Sequence, residues 1–425
     1  MTFEESLKLL NTRQNFIKKN GFYRIEKCLS VLGNPHSEFK AVHVTGTNGK
    51  GSVCAMFAEA FRTAGYKTGL YISPHLTDIR ERIQINGVPV SREEFARLMK
   101  DVFDASSELS YFEVLTCMAY LHFARRGTDI AVVEVGIGGR SDSTNVLPSS
   151  LLSVITSVDF DHKQMLGPTL REIAYQKAGI IKQDGLAITP VLPEEAALQI
   201  ISEAAAKKAK LEMTAPVFET VSCDWNRGGM YIRHKTTGKT YYLNVLGKHQ
   251  LSNATLVWKG LEMLSGRGIR VSEEQAASAF GTFSWKGRFQ VVRSGPGLNN
   301  TVFIVDGAHN PQAARSFGET WLQSPFSRED AVFVIGAMKD KEYIYMLKVL
   351  SGFRGRFIFT KPDLARGESP EKLAGLFRGM KPEADIVVFD RLADAFAYSS
   401  SCGKNVAVVG SLYLAGAVLN FIAEH

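Results

Sequence analysis

Lys40-Ala-Val-His-Val-Thr-Gly-Thr-Asn-Gly-Lys-Gly-Ser52 carries the chain from a β-branched run, through a glycine-rich turn, into a helical pattern over 52–64. A short buried strand, a loop and a helix in that order are the signature of a phosphate-binding loop. Glycines let backbone N–H groups turn toward an anion with no Cβ in the way. The helix N-terminus adds partial positive charge, Lys50 adds a full one, and Ser52 offers a hydroxyl suited to Mg²⁺. Thr47, Asn48, Gly49, Lys50, Gly51 and Ser52 are therefore the candidate phosphate contacts. The loop is short. Only Thr47 and Asn48 separate Gly46 from Gly49, where the general pattern has four residues, and Gly51 stands between the lysine and the hydroxyl. A turn that binds nothing is the competing reading, but a lysine between two glycines is a poor choice for geometry alone.

Outward from the loop, apolar runs alternate with amphipathic stretches, which predicts an α/β chain with a doubly wound, largely parallel sheet. Strands are expected at 40–44, 67–72, 129–135 and 151–158, and helices at 111–126 and 170–181. Ser91-Arg-Glu-Glu94 reads as a capping box opening a helix to about 103. The region 211–246 alternates polar and aromatic residues and predicts a small antiparallel patch. Helices follow at 249–264 and 272–280. Arg293-Ser-Gly-Pro-Gly-Leu-Asn-Asn300 is the best linker candidate, dividing a nucleotide-binding domain over 1–292 from a smaller Rossmann-like α/β domain over 301–425. The strands expected in the second domain are 301–305, 331–335, 356–360, 385–389 and 405–409.

The 425 residues suffice for roughly two or three domains. No stretch approaches the ~18–20 uninterrupted apolar residues of a membrane helix, and residues 1–20 lack the apolar block of a signal peptide. A cytoplasmic protein without membrane attachment is the expectation. Five scattered cysteines with no C-x-x-C spacing argue against a disulfide framework or structural zinc. The net charge of +7 fits an anionic partner, but no basic run interleaved with aromatics points to nucleic acid.

Further motifs follow in order. They are Ser73-Pro-His-Leu76 with Glu81-Arg-Ile-Gln-Ile-Asn-Gly87, Glu134-Val-Gly-Ile-Gly-Gly-Arg140 with Thr144-Asn145, Asp161-His162, and Lys177-Ala-Gly-Ile180. Gly247-Lys-His-Gln250 with Asn253, Trp285 with Gly287-Arg288, Asp306-Gly-Ala-His-Asn-Pro311, Gly336-Ala-Met-Lys-Asp340 and Gly410-Ser-Leu-Tyr413 complete the series. With the short loop, this series resembles the folylpolyglutamate synthase and dihydrofolate synthase family, relatives of the Mur peptide ligases. The resemblance spans nearly the whole chain, and Gly51 favours this branch over the Mur ligases proper.

It implies an ATP-dependent ligase that joins L-glutamate to a folate or dihydropteroate carboxylate through an acyl phosphate, releasing ADP. Glu134, which ends a strand where a doubly wound sheet gathers ligands, and Ser52 are the metal ligands expected from the residues themselves. The resemblance adds Ser73 to the first Mg²⁺ and His162 to a second. It also implies a carbamylated Lys177, an adenine contact at Asn253, phosphate binding by Arg288, nucleotide binding by Asp306, and a place near glutamate and phosphate for His309. Lys50, Lys177 and His309 are the residues implied in catalysis. Arg82, Ser73 and His309 are those facing substrate, with Arg82 implied as partner of the glutamate carboxylates at a site between domains. The altered Trp285-Lys-Gly-Arg-Phe-Gln290 lacks the family's usual glutamate. Extension of polyglutamate alone and extension plus dihydrofolate synthesis both stay open, and a monomer is the simplest state. Two other classes are weighed. A Mur-type ligase predicts an N-terminal domain for which residues 1–39 are too short, and a nucleotide-binding switch would not need Lys177, Arg288, Asp306 and His309 together.

Overall fold

The computed structural model describes residues 1–13, 21–327, 331–362, 366–402 and 405–425. They form two compact units, each assembled from several stretches: 1–75, 79–217 and 252–283 in the first, and 76–78, 218–251 and 284–425 in the second.

The first unit is built on an eight-stranded sheet. Its strands are β1 (Lys40–Thr45), β2 (Thr68–Tyr71), β3 (Ile83–Ile85), β4 (Val88–Pro89), β5 (Ile130–Glu134), β6 (Leu152–Ile155), β7 (Leu186–Pro190) and β8 (Lys210–Thr214). Their order is β4-β3-β2-β5-β1-β6-β7-β8. Six central strands run parallel, and the β3–β4 hairpin is an antiparallel edge. β1, β2, β5, β6 and β7 are buried along most of their length, as strands covered on both faces must be, whereas β8 at the sheet edge is only partly buried. The helix Lys50–Thr63 packs on β5 and on the helix Glu273–Thr282. Its Phe57 and Phe61 are fully buried with ring centroids 5.9 Å apart, and each contributes about 2–3 kcal/mol by leaving water. That anchorage holds the helix start, and so the loop before it, in place.

The second unit contains a three-stranded antiparallel sheet, β9 (Phe218–Asp224), β10 (Gly229–His234) and β11 (Thr240–Leu243), in the order β11-β10-β9. Its larger sheet comprises β12 (Gln290–Arg293), β13 (Val302–Asp306), β14 (Val332–Ile335), β15 (Arg356–Phe359), β16 (Asp385–Val388) and β17 (Asn405–Val409). The order is β12-β13-β17-β14-β15-β16, with only β12 antiparallel. Trp321, Phe333, Phe357 and Phe377 form a continuous aromatic core beneath it.

Several expectations need correction. Residues 293–300 do not link domains: they turn β12 into β13 within one sheet, with Arg293 paired to Val302. The change of unit falls ten residues earlier in the chain, between 283 and 284. The turn chemistry was real, but it served a hairpin. Residues 210–214 belong to the parallel sheet as β8, so the antiparallel patch starts only at Phe218. β6 ends at Ile155 and the helix after Thr169 ends at Ala178. Ser91 caps its helix by accepting from the Glu94 N–H, but the Glu94 carboxylate turns to Arg97 instead of closing the box. Among the described residues no helix is long and apolar enough to cross a membrane.

Candidate active site

The loop after β1 is tight and its glycines are obligatory. Gly49, the cap of the helix Lys50–Thr63, has φ +85°, and Gly46 has φ +155°. A methyl group on Gly46 would run into the Thr156 hydroxyl, and one on Gly49 would lie 2.6 Å from Asn253 Oδ1. Conformation and space therefore both demand glycine. Lys50 Nζ folds back and donates to the carbonyls of Gly46 (2.9 Å) and Thr47 (3.2 Å). The Val53 N–H is the one that bonds to the Gly49 carbonyl, at 3.0 Å, so the N–H groups before it lack intrahelical acceptors. Such N–H groups beside a lysine ammonium have the chemistry to hold an anion. Thr47, Ser52 and Asn253 are all buried around it.

Parallel pairing brings other strand ends to the same edge. Val44 lies opposite Glu134, Thr45 opposite Ile155, and Tyr71 opposite Val133. Glu134 is 4% exposed, and its Oε2 accepts the Ser73 N–H at 2.9 Å. The Cys54 thiol senses this neighbourhood: burial raises its pKa, the Glu134 charge raises it further, and Lys50 opposes. Lys177, for which the resemblance implies carbamylation, is 2% exposed. Burial pushes its ammonium well below the ordinary lysine range, the Lys50 charge adds to this, and Asp161 pulls the other way. His162 sits at φ +51°, its N–H donating to Asp161 Oδ1 (2.9 Å) and its Nε2 3.8 Å from the same oxygen. One edge of the first unit thus assembles the loop, Ser73, Glu134, Asp161, His162, Lys177 and Asn253. Arg82 is buried in the same unit, donating to His75 Nδ1 (2.9 Å) and lying 5.7 Å over the Tyr111 ring. Its described hydrogen bonds do not reach the loop.

In the second unit Asp306 ends β13 and is almost fully buried. Oδ2 accepts the Phe289 N–H and Oδ1 the Ala308 N–H, each at 2.7 Å. Burial raises its pKa, while Arg288 and the two N–H groups pull it back. Phe289 sits at φ +40° with its ring in the core, so this carboxylate braces a strained turn. Arg288 donates to the Gly287 carbonyl at 3.0 Å, and the Gly307 N–H donates to that same carbonyl at 2.9 Å. His309 Nδ1 lies 2.8 Å from the Gly307 carbonyl, and Asn310 caps the helix Pro311–Gln323. Arg288, Asp306 and His309 therefore share one pair of adjoining turns. Burial holds His249 neutral, at about 4, and Arg288 adds to that.

Sequence reading missed Thr156 and Ser157, which contact the loop directly, because it continued β6 through them, and Asp159, just past the expected strand. It also missed Asp142, whose Oδ2 accepts the Ile137 N–H (3.0 Å) and shapes the turn beyond Glu134. For Thr156 and Ser157 the available signal was the polarity of a segment expected to be strand.

Residues 44–258 match the Mur ligase middle domain, and residues 287–412 match the Mur ligase glutamate ligase domain. The chain is 34% identical, over 388 residues, to a Bacillus subtilis dihydrofolate synthase/folylpolyglutamate synthase, covering 87% of this chain and 88% of the relative. A solved folylpolyglutamate synthase from Thermotoga maritima is 32% identical with a TM-score of 0.84, over 99% of this chain and 96% of that one. An E. coli relative in complex with DHPP and ADP has a TM-score of 0.86 at 26% identity, over 100% and 98% of the two chains.

Proposed function

Because this chain belongs to the folylpolyglutamate synthase/dihydrofolate synthase family of Mur ligases, we infer that it is an ATP-dependent ligase adding L-glutamate to a folate. The observation that carries this reading is the convergence of Lys50, the N–H groups at the helix start, buried Glu134 and buried Lys177 on one edge of a parallel sheet. The reaction must bring an anionic carboxylate to an anionic phosphate, so positive charge fixed beforehand lowers the barrier.

In the first step a substrate carboxylate oxygen attacks the γ-phosphorus, the bond to the bridging oxygen breaks, and ADP leaves. The loop N–H groups and Lys50 hold the phosphates in line, with Asn253 beside the base; Arg288, in the other unit, is assigned to phosphate binding by the family resemblance alone. In the second step the neutral glutamate amine attacks the acyl carbon, the bond to the phosphate oxygen breaks, and phosphate leaves as hydrogen phosphate with the proton the amine gives up. Arg82 is assigned to the glutamate carboxylates and His309 to the region of glutamate and phosphate. Asp306 enters this reading through the turn it braces.

Mg²⁺ fits the residues present, since Ser52 and Glu134 are buried oxygen donors of the kind it prefers. An ion that takes few protein ligands and completes its shell with phosphate oxygens and water suits such a site. Ser52, Glu134 and Ser73 would hold one ion and His162 a second. When bound, the metal neutralises phosphate charge. A carbamylated Lys177 belongs to the same reading: burial favours the neutral amine, which attacks carbon dioxide with loss of a proton and becomes an anion near Lys50. Intact mass measured with and without carbon dioxide, against Lys177→Ala, tests it. A monomer is the working assembly, checked by light scattering.

The deciding assay supplies ATP, Mg²⁺ and glutamate with either dihydropteroate or tetrahydrofolate. Glutamylated product and stoichiometric ADP are expected, the two acceptors separating dihydrofolate synthesis from chain extension. No product with either acceptor would remove the ligase reading.

A further inference from the structure

We propose that Ser157, seconded by Thr156, is a positioning residue for nucleotide binding, holding the Asn48 peptide so that the shortened loop still presents its donors to phosphate. The assignment rests on Gly46–Ser52 being the phosphate loop. The general pattern spends two more residues on this turn. Here the segment after β6 supplies the missing support. The β1–β6 ladder continues past its last strand pair, with the Thr156 N–H donating to the Thr45 carbonyl (2.8 Å) and the Thr47 N–H to the Ser157 carbonyl (3.0 Å). Ser157 Oγ then works in both directions, accepting the Asn48 N–H (2.9 Å) and donating to the Asn48 carbonyl (3.0 Å). A hydroxyl has one donor and two acceptor sites, so both bonds coexist. Thr156 Oγ1 donates to the same Asn48 carbonyl, which fills its two lone pairs. Thr47 Oγ1 is fixed in turn by the Asp159 N–H and carbonyl, each at 3.0 Å.

The consequence is directional. The Asn48 amide and carbonyl face residues 156–157, so the donors left for an anion begin at Gly49 and run into the helix start. The same clamp fixes the Gly46 and Thr47 carbonyls on which the Lys50 ammonium rests. Without Ser157, the Asn48 N–H loses this acceptor, its carbonyl keeps the Thr156 hydroxyl but not that of Ser157, and Gly49 and Lys50 are held less firmly.

The test is titration of Mg·ADP into the purified full chain, together with steady-state kinetics and melting temperature. Ser157→Ala should weaken ADP binding and raise KM for ATP about tenfold, the usual worth of such hydrogen bonds. KM for glutamate should stay unchanged, and Ser157→Thr should recover most of the loss. Thr156→Val should show a smaller loss in the same direction. Ser150→Ala, which removes a hydroxyl bonded to Ser153 before and within β6, should bind ADP normally. Wild-type ADP affinity in Ser157→Ala, while Lys50→Ala loses binding, overturns the clamp and leaves the loop assignment standing. Unchanged binding in both variants overturns the loop assignment and the clamp together. Equal losses in KM for ATP and glutamate with a lowered melting temperature would mean scaffolding only, and also overturn it. If Ser157→Ala does not fold, unchanged ADP binding in Thr156→Val does the same.

Discussion

Replacing Asp306 by asparagine removes one of the two acceptors that brace the turn carrying Arg288. Both carboxylate oxygens are occupied at 2.7 Å, one by the Phe289 N–H and one by the Ala308 N–H. An amide in the same place satisfies either donor but not both, because its nitrogen faces an N–H. A buried donor left without a partner costs about 1–3 kcal/mol. Part of this is offset, since burial already disfavours the charged carboxylate, so the net expectation is a loss of about 1–2 kcal/mol. For a unit of this size that lowers the melting temperature by about 2–8 °C. Turnover should fall about tenfold to a hundredfold, the scale of a small misplacement of a binding group. The decisive measurement is a double-mutant cycle in kcat/KM for ATP. If Asp306 acts through Arg288, Asp306→Asn should cost little further activity once Arg288→Ala is present. An equal loss in both backgrounds, with unchanged melting, would show that Asp306 meets the nucleotide directly and refute the brace.

Lys50→Ala should reduce turnover by orders of magnitude with nearly normal melting, because the ammonium rests only on the loop carbonyls; near-normal turnover would remove Lys50 from the chemistry. Gly49→Ala should weaken ADP binding measurably, since alanine at φ +85° costs about 1–2 kcal/mol and its methyl meets Asn253; unaltered binding in a titration would mean that the loop is looser than described. His43 and His249 are held neutral by burial at about 3 and about 4. The unfolded chain binds these protons more readily, so the stability they contribute is complete above about pH 6.5 and is lost as pH falls toward those values. Denaturant midpoints should drop between pH 7 and pH 5, less steeply in His43→Gln; a flat profile would contradict this.

The fold was legible wherever one local rule acted alone. β1, β5 and β17 were expected within a residue or two, because a β-branched run bounded by glycine or polar residues has few other uses. The loop was legible because glycine at Gly46 and Gly49 answers a backbone demand that the sequence displays openly. Failures came where the same letters serve two purposes. Residues 293–300 contain the turn formers of a linker, yet Pro296 and Gly297 belong to a hairpin, because turn residues between two β-type runs suit a boundary and a hairpin equally well. Lys177 looked like an ordinary helix lysine because burial is decided by what packs against a helix, not by the helix itself. Ser157 and Thr156 escaped because a hydroxyl's partner, 109 or so residues away in sequence, is set by sheet order.

The two units exchange chain at 75/76, 78/79, 217/218, 251/252 and 283/284. Even the three residues 76–78 have their own place: a Cβ on Gly416 would strike the Leu76 carbonyl, so that glycine keeps a seat for them. No single cut yields either half intact. A fragment starting near 284 would lack the β9–β11 sheet, and one ending there would carry that sheet without its core. Attempts to express the halves separately should give insoluble or protease-sensitive material, whereas insertions into exposed turns within one unit, such as that at Gly238, should be tolerated.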